Sequence, residues 1–241
     1  MEEVIRNKEY RLYILDGHGT CCSDDSRPVP SALTHPLAGG GMSSPQHIVV
    51  ERDACVDMVL LVMPGVSCDV KLDVRLVGEG AQANIYGAYV CGGEEKVKIS
   101  VDMHHDLPHC NSRQLFKGIA GGTSRVDFYG KIIVAQDAQR TEAYQENHNI
   151  LLSDGAKVDT KPQLEIYADD VKCSHGATIG RLNEEEQFYM RSRGITLEDA
   201  KVLQMISFIA PVLEQLPEAD REAVAGQMEE AIREIVKREM A

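Results

Sequence analysis

The sequence contains no tryptophan and few other aromatic residues, with 4 Phe and 8 Tyr among 241 residues. No stretch approaches the run of about 20 uncharged apolar residues that a membrane-spanning helix needs. The most apolar segment, residues 56–66, contains Asp57 and Pro64, which indicates a buried strand instead. The first nine residues are too charged for a signal peptide. These absences predict a soluble, cytoplasmic protein.

Motifs for two common kinds of catalysis are also missing. No Gly-x-x-x-x-Gly-Lys-Ser/Thr loop is present, which excludes ATP hydrolysis by the P-loop route. No Gly-x-Ser-x-Gly nucleophile motif is present either. The formal net charge of −13 disfavours binding to nucleic-acid phosphates.

The seven cysteines are odd in number, and none form a Cys-x-x-Cys pair. Cys21 and Cys22 are adjacent, which rarely suits a mutual disulfide because the geometry is strained. This distribution indicates reduced thiols in a reducing compartment. From Cys21 to Gly41 the chain is rich in Pro and Gly, which is typical of a turn-rich or disordered lead-in.

Apolar residues alternate with polar ones through much of the first 180 positions. The clearest case has apolar residues at every second position from Val66 to Leu76, and a second runs from Val97 to Met103. Such alternation predicts half-buried strands. Glycine-containing turns separate many short strands, an arrangement compatible with a sandwich, a barrel or a β-solenoid. No repeat of fixed period is visible to favour the solenoid.

The hydrophobic period becomes helical after Gly180. Asn183, followed by an acid three residues later, predicts a helix start, and Thr196 repeats the signal. Apolar residues then recur at helical spacing, and Pro211 should kink or split the second helix. The predicted division is therefore a β-rich part over residues 1–182 and a helical subdomain over residues 183–241.

Cys173 and His175 are the strongest candidates for a metal or cluster site. In a strand, residues two positions apart point to one face, so a soft sulfur and an imidazole nitrogen would face the same way. These donors suit iron, zinc or copper(I). Two donors are too few for a closed site. Either a second chain supplies the rest, or the pair is a buried thiol and a hydrogen-bonded histidine with a structural role.

Residues 104–110 contain three imidazoles and a thiol, which by composition could form a metal cluster. Pro108 breaks any helix that would align them, and neighbouring side chains in a strand face opposite ways. These residues are therefore weaker metal candidates: His104, His105, His109 and Cys110.

Residues 159–180 closely resemble the SufD subunits of the Suf iron–sulfur cluster assembly machinery. The resemblance extends upstream through residues 110–115, 129–132 and 149–153, and downstream through residues 187–194. The paralogous SufB subunits are less similar, because they lack the Lys-Cys-Ser-His-Gly-Ala segment in this form. The resemblance implies a mainly β fold, a right-handed parallel β-helix followed by a small C-terminal α-helical subdomain.

The same resemblance implies a non-enzymatic scaffold that helps to build iron–sulfur clusters. It implies a SufC-like ATPase docked on helices within Thr196 to Ala241, and pairing with a SufB-like paralogue or with a second copy. It places His175 among the ligands of a transient iron or iron–sulfur cluster at the subunit interface, with Cys173 as a lesser candidate. No permanently bound cofactor is expected, and the participation of flavin is left open.

A β-helix enzyme acting on acidic polysaccharides is the alternative function. The missing signal sequence, the missing tryptophan for sugar stacking and the reduced thiols all disfavour it. SufD proteins are considerably longer and begin with a helical region that is not recognisable here. The chain is therefore either a fragment or a short form.

Overall fold

The computed structural model describes residues 2–15 and 46–240. The Pro- and Gly-rich segment Cys21 to Gly41, including the Cys21–Cys22 pair, lies outside the described residues. Over the described ranges, twelve strands precede three helices. The strands are β1 (Glu2–Ile5), β2 (Lys8–Leu15), β3 (Gln46–Val50), β4 (Cys55–Val62), β5 (Cys68–Leu76), β6 (Gln82–Cys91), β7 (Lys96–His105), β8 (Asn111–Ala120), β9 (Arg125–Val134), β10 (Glu142–Leu151), β11 (Lys157–Ile166) and β12 (Lys172–Gly180).

The strands form two parallel six-stranded sheets, and the chain alternates between them. The first sheet has the order β1-β3-β5-β7-β9-β11, and the second has the order β12-β10-β8-β6-β4-β2. Each strand therefore pairs with the strand two elements away, which is the connectivity of a β-solenoid with two strands per turn. The predicted solenoid followed by C-terminal helices is confirmed, and the sandwich and the barrel are not formed.

Alternating side chains from both sheets fill the interior of the solenoid. In β7, for example, Val97, Ile99, Val101 and Met103 are almost fully buried, whereas Lys96 and Lys98 are exposed. The interior of the earlier turns is almost entirely aliphatic. Burial of this apolar surface is the main term that stabilises the stack.

Three helices follow the last strand: α1 (Glu184–Ser192), α2 (Leu197–Leu213) and α3 (Glu218–Met240). The predicted starts are correct. The Asn183 side chain accepts hydrogen bonds from the backbone N–H groups of Glu185 and Glu186, and Thr196 caps α2 through the N–H of Asp199. Pro211 does not split α2, which continues to Leu213. No helix among the described residues is both long and apolar enough to cross a membrane.

Helices α2 and α3 pack against the outer face of the second sheet. Strand residues such as Val59, Leu61 and Ile119 share one buried cluster with helix residues such as Met205 and Ile232. This second cluster explains why residues 58–62 of β4 are buried on both faces and form a continuous apolar run. The outer face of the first sheet is instead polar, with ion pairs between neighbouring strands such as Lys131–Glu165.

The solenoid ends at β11 and β12, which are the last strands of their sheets. We call this pair of strands, residues 157–166 and 172–180, the open end. β11 pairs only with β9, and β12 pairs only with β10, among the described strands. Most side chains of β12 are exposed, in contrast to those of β10. The open end therefore presents two sheet edges and one uncovered layer of interior-facing residues.

Candidate functional site at the open end

Cys173 and His175 lie on β12, at the rim of the open end. In the parallel register Cys173 pairs with Ala143, and His175 pairs with Gln145. Ala143 and Gln145 are fully buried in the interior. Because paired residues of neighbouring strands leave the sheet on one side, Cys173 and His175 belong to the interior face of the second sheet. The thiol and the imidazole are thus on one face, where no further turn of the described chain covers them.

The two side chains differ in burial. Cys173 is half-buried and packs against the interior cluster. Burial raises the pKa of its thiol more than a backbone hydrogen bond from Ala143 lowers it. A cysteine binds metal as the thiolate, so this environment disfavours the ligand form. His175 is exposed, and histidine binds metal as the neutral imidazole. His175 is therefore the better ligand candidate.

The weaker candidates in residues 104–110 are not brought together. His104 and His105 end β7 and face opposite sides, with His104 Nε2 on the outer face 3.6 Å from Asp73 Oδ1. His105 lies in the interior, where its Nε2 is 2.9 Å from Ser112 Oγ. Burial, followed by the charge of His104, lowers the pKa of His105 to about 4. This environment keeps the ring neutral and inaccessible.

The turn after β7 separates the other two candidates. His109 has a positive φ of 61°, the left-handed conformation of a tight turn. Cys110 is fully buried, and its Sγ donates to the Gly78 carbonyl oxygen at 3.2 Å. Burial raises the pKa of the Cys110 thiol to about 11. Among the residues that the structure describes, no group of three or more His, Cys, Asp or Glu side chains is arranged to hold a metal ion.

A family model for the SufBD core domain of the SUF iron–sulfur cluster assembly system matches residues 43–208. The chain belongs to the SufBD core family. The match covers β3 through most of α2, and thus contains the open end, Cys173 and His175.

Several proteins of the family are similar to the chain. It is 52% identical over 114 residues to the iron–sulfur cluster assembly protein SufD of Escherichia coli, a span that covers 47% of this chain and 27% of that protein. It is 38% identical over 145 residues to protein ABCI7, chloroplastic, of Arabidopsis thaliana, covering 60% and 30%. A SufBD family protein of Mycobacterium leprae is 29% identical over 181 residues, covering 72% and 46%. The chain thus spans about a quarter to a half of these relatives, and none is named for polysaccharide chemistry.

Buried polar residues behind the open end were not singled out from the sequence. Tyr89, Asn147 and Asn149 form one hydrogen-bonded group inside the solenoid. Gln114 and Gln145 form another, in which Gln145 Nε2 donates to Gln114 Oε1 at 2.8 Å. Their sequence signal is position: each residue occupies an inward position of an alternating strand, where the preceding turns carry mainly apolar residues or glycine, such as Ile85 before Gln114 and Phe116 before Asn147.

The helical part carries a second exposed apolar surface. Phe188 and Tyr189 of α1 are 72% and 59% exposed, and Leu203 of α2 is 47% exposed. Tyr189 and Leu203 line a groove between α1 and α2, together with Phe208. Phe188 and Tyr189 lie N-terminal to the predicted docking region, Thr196 to Ala241, and Leu203 lies within it.

Proposed function

We propose that the chain acts as a scaffold subunit in iron–sulfur cluster assembly, and that His175 contributes a ligand to iron or a nascent cluster as the cargo. Cys173 is a secondary candidate. The proposal is supported by membership of the SufBD core family and by relatives named as cluster assembly proteins. The observation that carries it is the position of His175, exposed on an unpaired edge strand where a second chain can complete the ligand set.

The open end favours pairing with another solenoid. An unpaired edge presents a row of backbone N–H and C=O groups that can continue a sheet across a subunit boundary. Apolar side chains accompany these groups, since Ile166 and Ile179 are 40% and 46% exposed. The partner is either a SufB-like paralogue or a second copy of this chain. Such pairing would enclose His175 between subunits.

We assign ATP hydrolysis to a SufC-like partner, because this chain carries no P-loop motif. The exposed surface of Phe188, Tyr189 and Leu203 is suited to dock a globular partner, because aromatic residues dominate the energy of such contacts. In this scheme the chain itself catalyses no reaction. A reducing compartment such as the cytoplasm fits the five described cysteines, which form no disulfide among themselves. A bound flavin is not part of the proposal.

The test is the yield of cluster per folded molecule in the complex purified from its native source. We expect His175→Ala to lower this yield several-fold, with a melting temperature close to that of the wild type, because an exposed side chain contributes little to stability. His47→Ala is the matched control, a histidine on the outer face of the first sheet. Cys173→Ala should have a smaller effect than His175→Ala.

The opposite pattern would overturn the ligand role. If His175→Ala melts early while the yield per folded molecule stays normal, His175 is a structural residue. Identification of the chains that co-purify distinguishes a paralogue from a second copy and shows whether an ATPase is bound.

A further inference from the structure

The column of interior side chains that leads to His175 changes from apolar to polar. The parallel register places Met58, Ile85, Gln114, Gln145 and His175 in consecutive turns at one level of the second sheet. Met58 and Ile85 are fully buried and apolar, as the interior of a solenoid requires. Gln114 and Gln145 are equally buried, at 1% and 0% exposure. The two turns behind the open end therefore hold amides where the earlier turns hold hydrocarbon.

The amide of Gln145 is only partly satisfied. Its Nε2 donates to Gln114 Oε1, but its Oε1 is buried without a hydrogen-bond partner among the described residues. Leaving a buried acceptor unpaired destabilises the folded state. An unpaired oxygen in a column whose earlier turns are apolar points to a ligand or a partner that completes the hydrogen bonds of the amide.

The opposite sheet makes room for this amide. A Cβ atom added to Gly130 on β9 would lie 2.2 Å from Gln145 Nε2. The Gln145 side chain therefore spans the interior as far as the backbone of the first sheet, in space that any larger residue at position 130 would fill. Contacts on two sides, Gln114 and Gly130, hold the amide in one place.

His175 is the next residue of the column and has no covering turn. Neighbouring strands lie about 4.8 Å apart, so the two side chains leave the sheet within reach of each other. Within the described part of the chain, the His175 ring makes no hydrogen bond with which Gln145 would have to compete. The ring and the unpaired oxygen are complementary, because a neutral imidazole carries one N–H donor.

We propose that Gln145 is a positioning residue for His175. Its Oε1 accepts a hydrogen bond from one ring N–H, which fixes a single tautomer and leaves the lone pair of the other nitrogen for iron. Gln114 supports this role indirectly, because its Oε1 accepts a hydrogen bond from Gln145 Nε2 and so orients the Gln145 amide. The purpose assigned to this hydrogen bond rests on the proposed function of His175, but the bond itself can be measured without iron.

The experiment observes the ring nitrogens of His175 in the metal-free, full-length chain with 15N-labelled histidine. Spectra are recorded in the alkaline range in which the ring signals no longer change with pH. The His175→Ala spectrum assigns the signals. In the wild type we expect one protonated and one unprotonated nitrogen, the pattern of a single tautomer.

Two variants remove the acceptor without creating a cavity. Gln145→Met keeps the side-chain length, and the column already accepts methionine at position 58. Gln114→Met combined with Gln145→Met also removes the amide that the single change leaves unpaired. Both should give averaged nitrogen shifts, typical of exchanging tautomers, and about tenfold weaker binding of ferrous iron in the assembled complex. Gln163→Met, on the exposed face of β11, is the control and should change neither.

Unchanged His175 nitrogen signals in both methionine variants would overturn the proposal. The nitrogen signals test the hydrogen bond alone. The proposed function is tested separately, by the cluster yield of His175→Ala. If His175→Ala gives a normal cluster yield while Gln145→Met loses the single tautomer, the hydrogen bond exists but has no role in cluster assembly.

Discussion

Burial distinguishes the two histidines His105 and His175. His105 lies inside the solenoid beside Ser112, where burial, followed by the charge of His104, lowers its pKa to about 4. His175 lies at the rim of the open end, exposed and without a covering turn. His105 is therefore a structural hydrogen-bonding group, whereas the ring of His175 is exposed to solvent.

The lowered pKa of His105 makes stability sensitive to acid. In the unfolded chain the ring titrates near 6.5, so between about pH 6.5 and pH 4 the unfolded state binds a proton that the folded state excludes. The stabilising contribution of the neutral ring is present above that window and is lost as the pH falls through it. We predict that His105→Leu loses less free energy of unfolding than the wild type between pH 7 and pH 5, measured by chemical denaturation.

His104→Gln is the control for this prediction, because His104 lies on the outer face of the same strand end. It should retain most of the acid sensitivity of the wild type. An identical pH dependence in His105→Leu and the wild type would show that other groups cause the acid loss.

At the scale of single residues, the sequence predicted the common face of Cys173 and His175, since that depends only on strand periodicity. It could not predict that Gln145 lies beside His175, because the two are 30 positions apart and become neighbours only through the register. The dispersal of residues 104–110 was partly predictable. Alternation separated His104 from His105, but the burial of Cys110 depends on the turn that Gly78 belongs to.

The elements were predicted where a local rule determines them. Alternation located β5 and β7, and the caps at Asn183 and Thr196 located the starts of α1 and α2. The solenoid itself was not evident from periodicity, because successive turns differ in length. Gln82 pairs with Asn111, 29 positions later, and Asn111 pairs with Glu142, 31 positions later. The strands have similar lengths, but the connections between them contain different numbers of residues, so the sequence shows no repeat of fixed period.

Helices α2 and α3 contribute to the stability of the fold, because they bury the outer face of the second sheet in a shared hydrophobic cluster. We predict that Ile232→Ala on α3, where the side chain is fully buried, lowers the free energy of unfolding by about 2–5 kcal/mol. Leu203→Ala on the exposed face of α2 should change it by less than about 0.5 kcal/mol. Denaturant titrations of both variants measure the difference. Equal, small effects would show that α3 is only loosely attached.

At the scale of the whole molecule, the covered outer face of the second sheet contrasts with the open end. The helices cover the second sheet, whereas β11 and β12 have no further strand beside them among the described residues. A long edge with exposed Ile166 and Ile179 promotes pairing with another chain. The candidate ligand His175 lies on this same edge, so under the proposed function pairing of the subunits would also complete the cluster site.

We predict that the isolated chain is dimeric or larger at micromolar concentration and that Ile179→Lys shifts it toward the monomer. A lysine on the edge strand disfavours sheet continuation because its charge would have to be desolvated. Val77→Lys, at another exposed apolar position away from β12, should leave the mass unchanged. Light scattering measures the masses. A monomeric wild type, or an Ile179→Lys dimer of unchanged affinity, would count against pairing through the open end.

The most direct test of the central claim is to detect a bond between the His175 nitrogen and the cargo. The complex is prepared with 15N-labelled histidine, loaded with iron and sulfide, and reduced to a paramagnetic state for pulsed EPR. If His175 is a ligand, we expect a strong 15N hyperfine coupling in the wild type that disappears in His175→Ala and persists in His47→Ala. A cluster that forms without any histidine coupling, or with a coupling that survives His175→Ala, would contradict it.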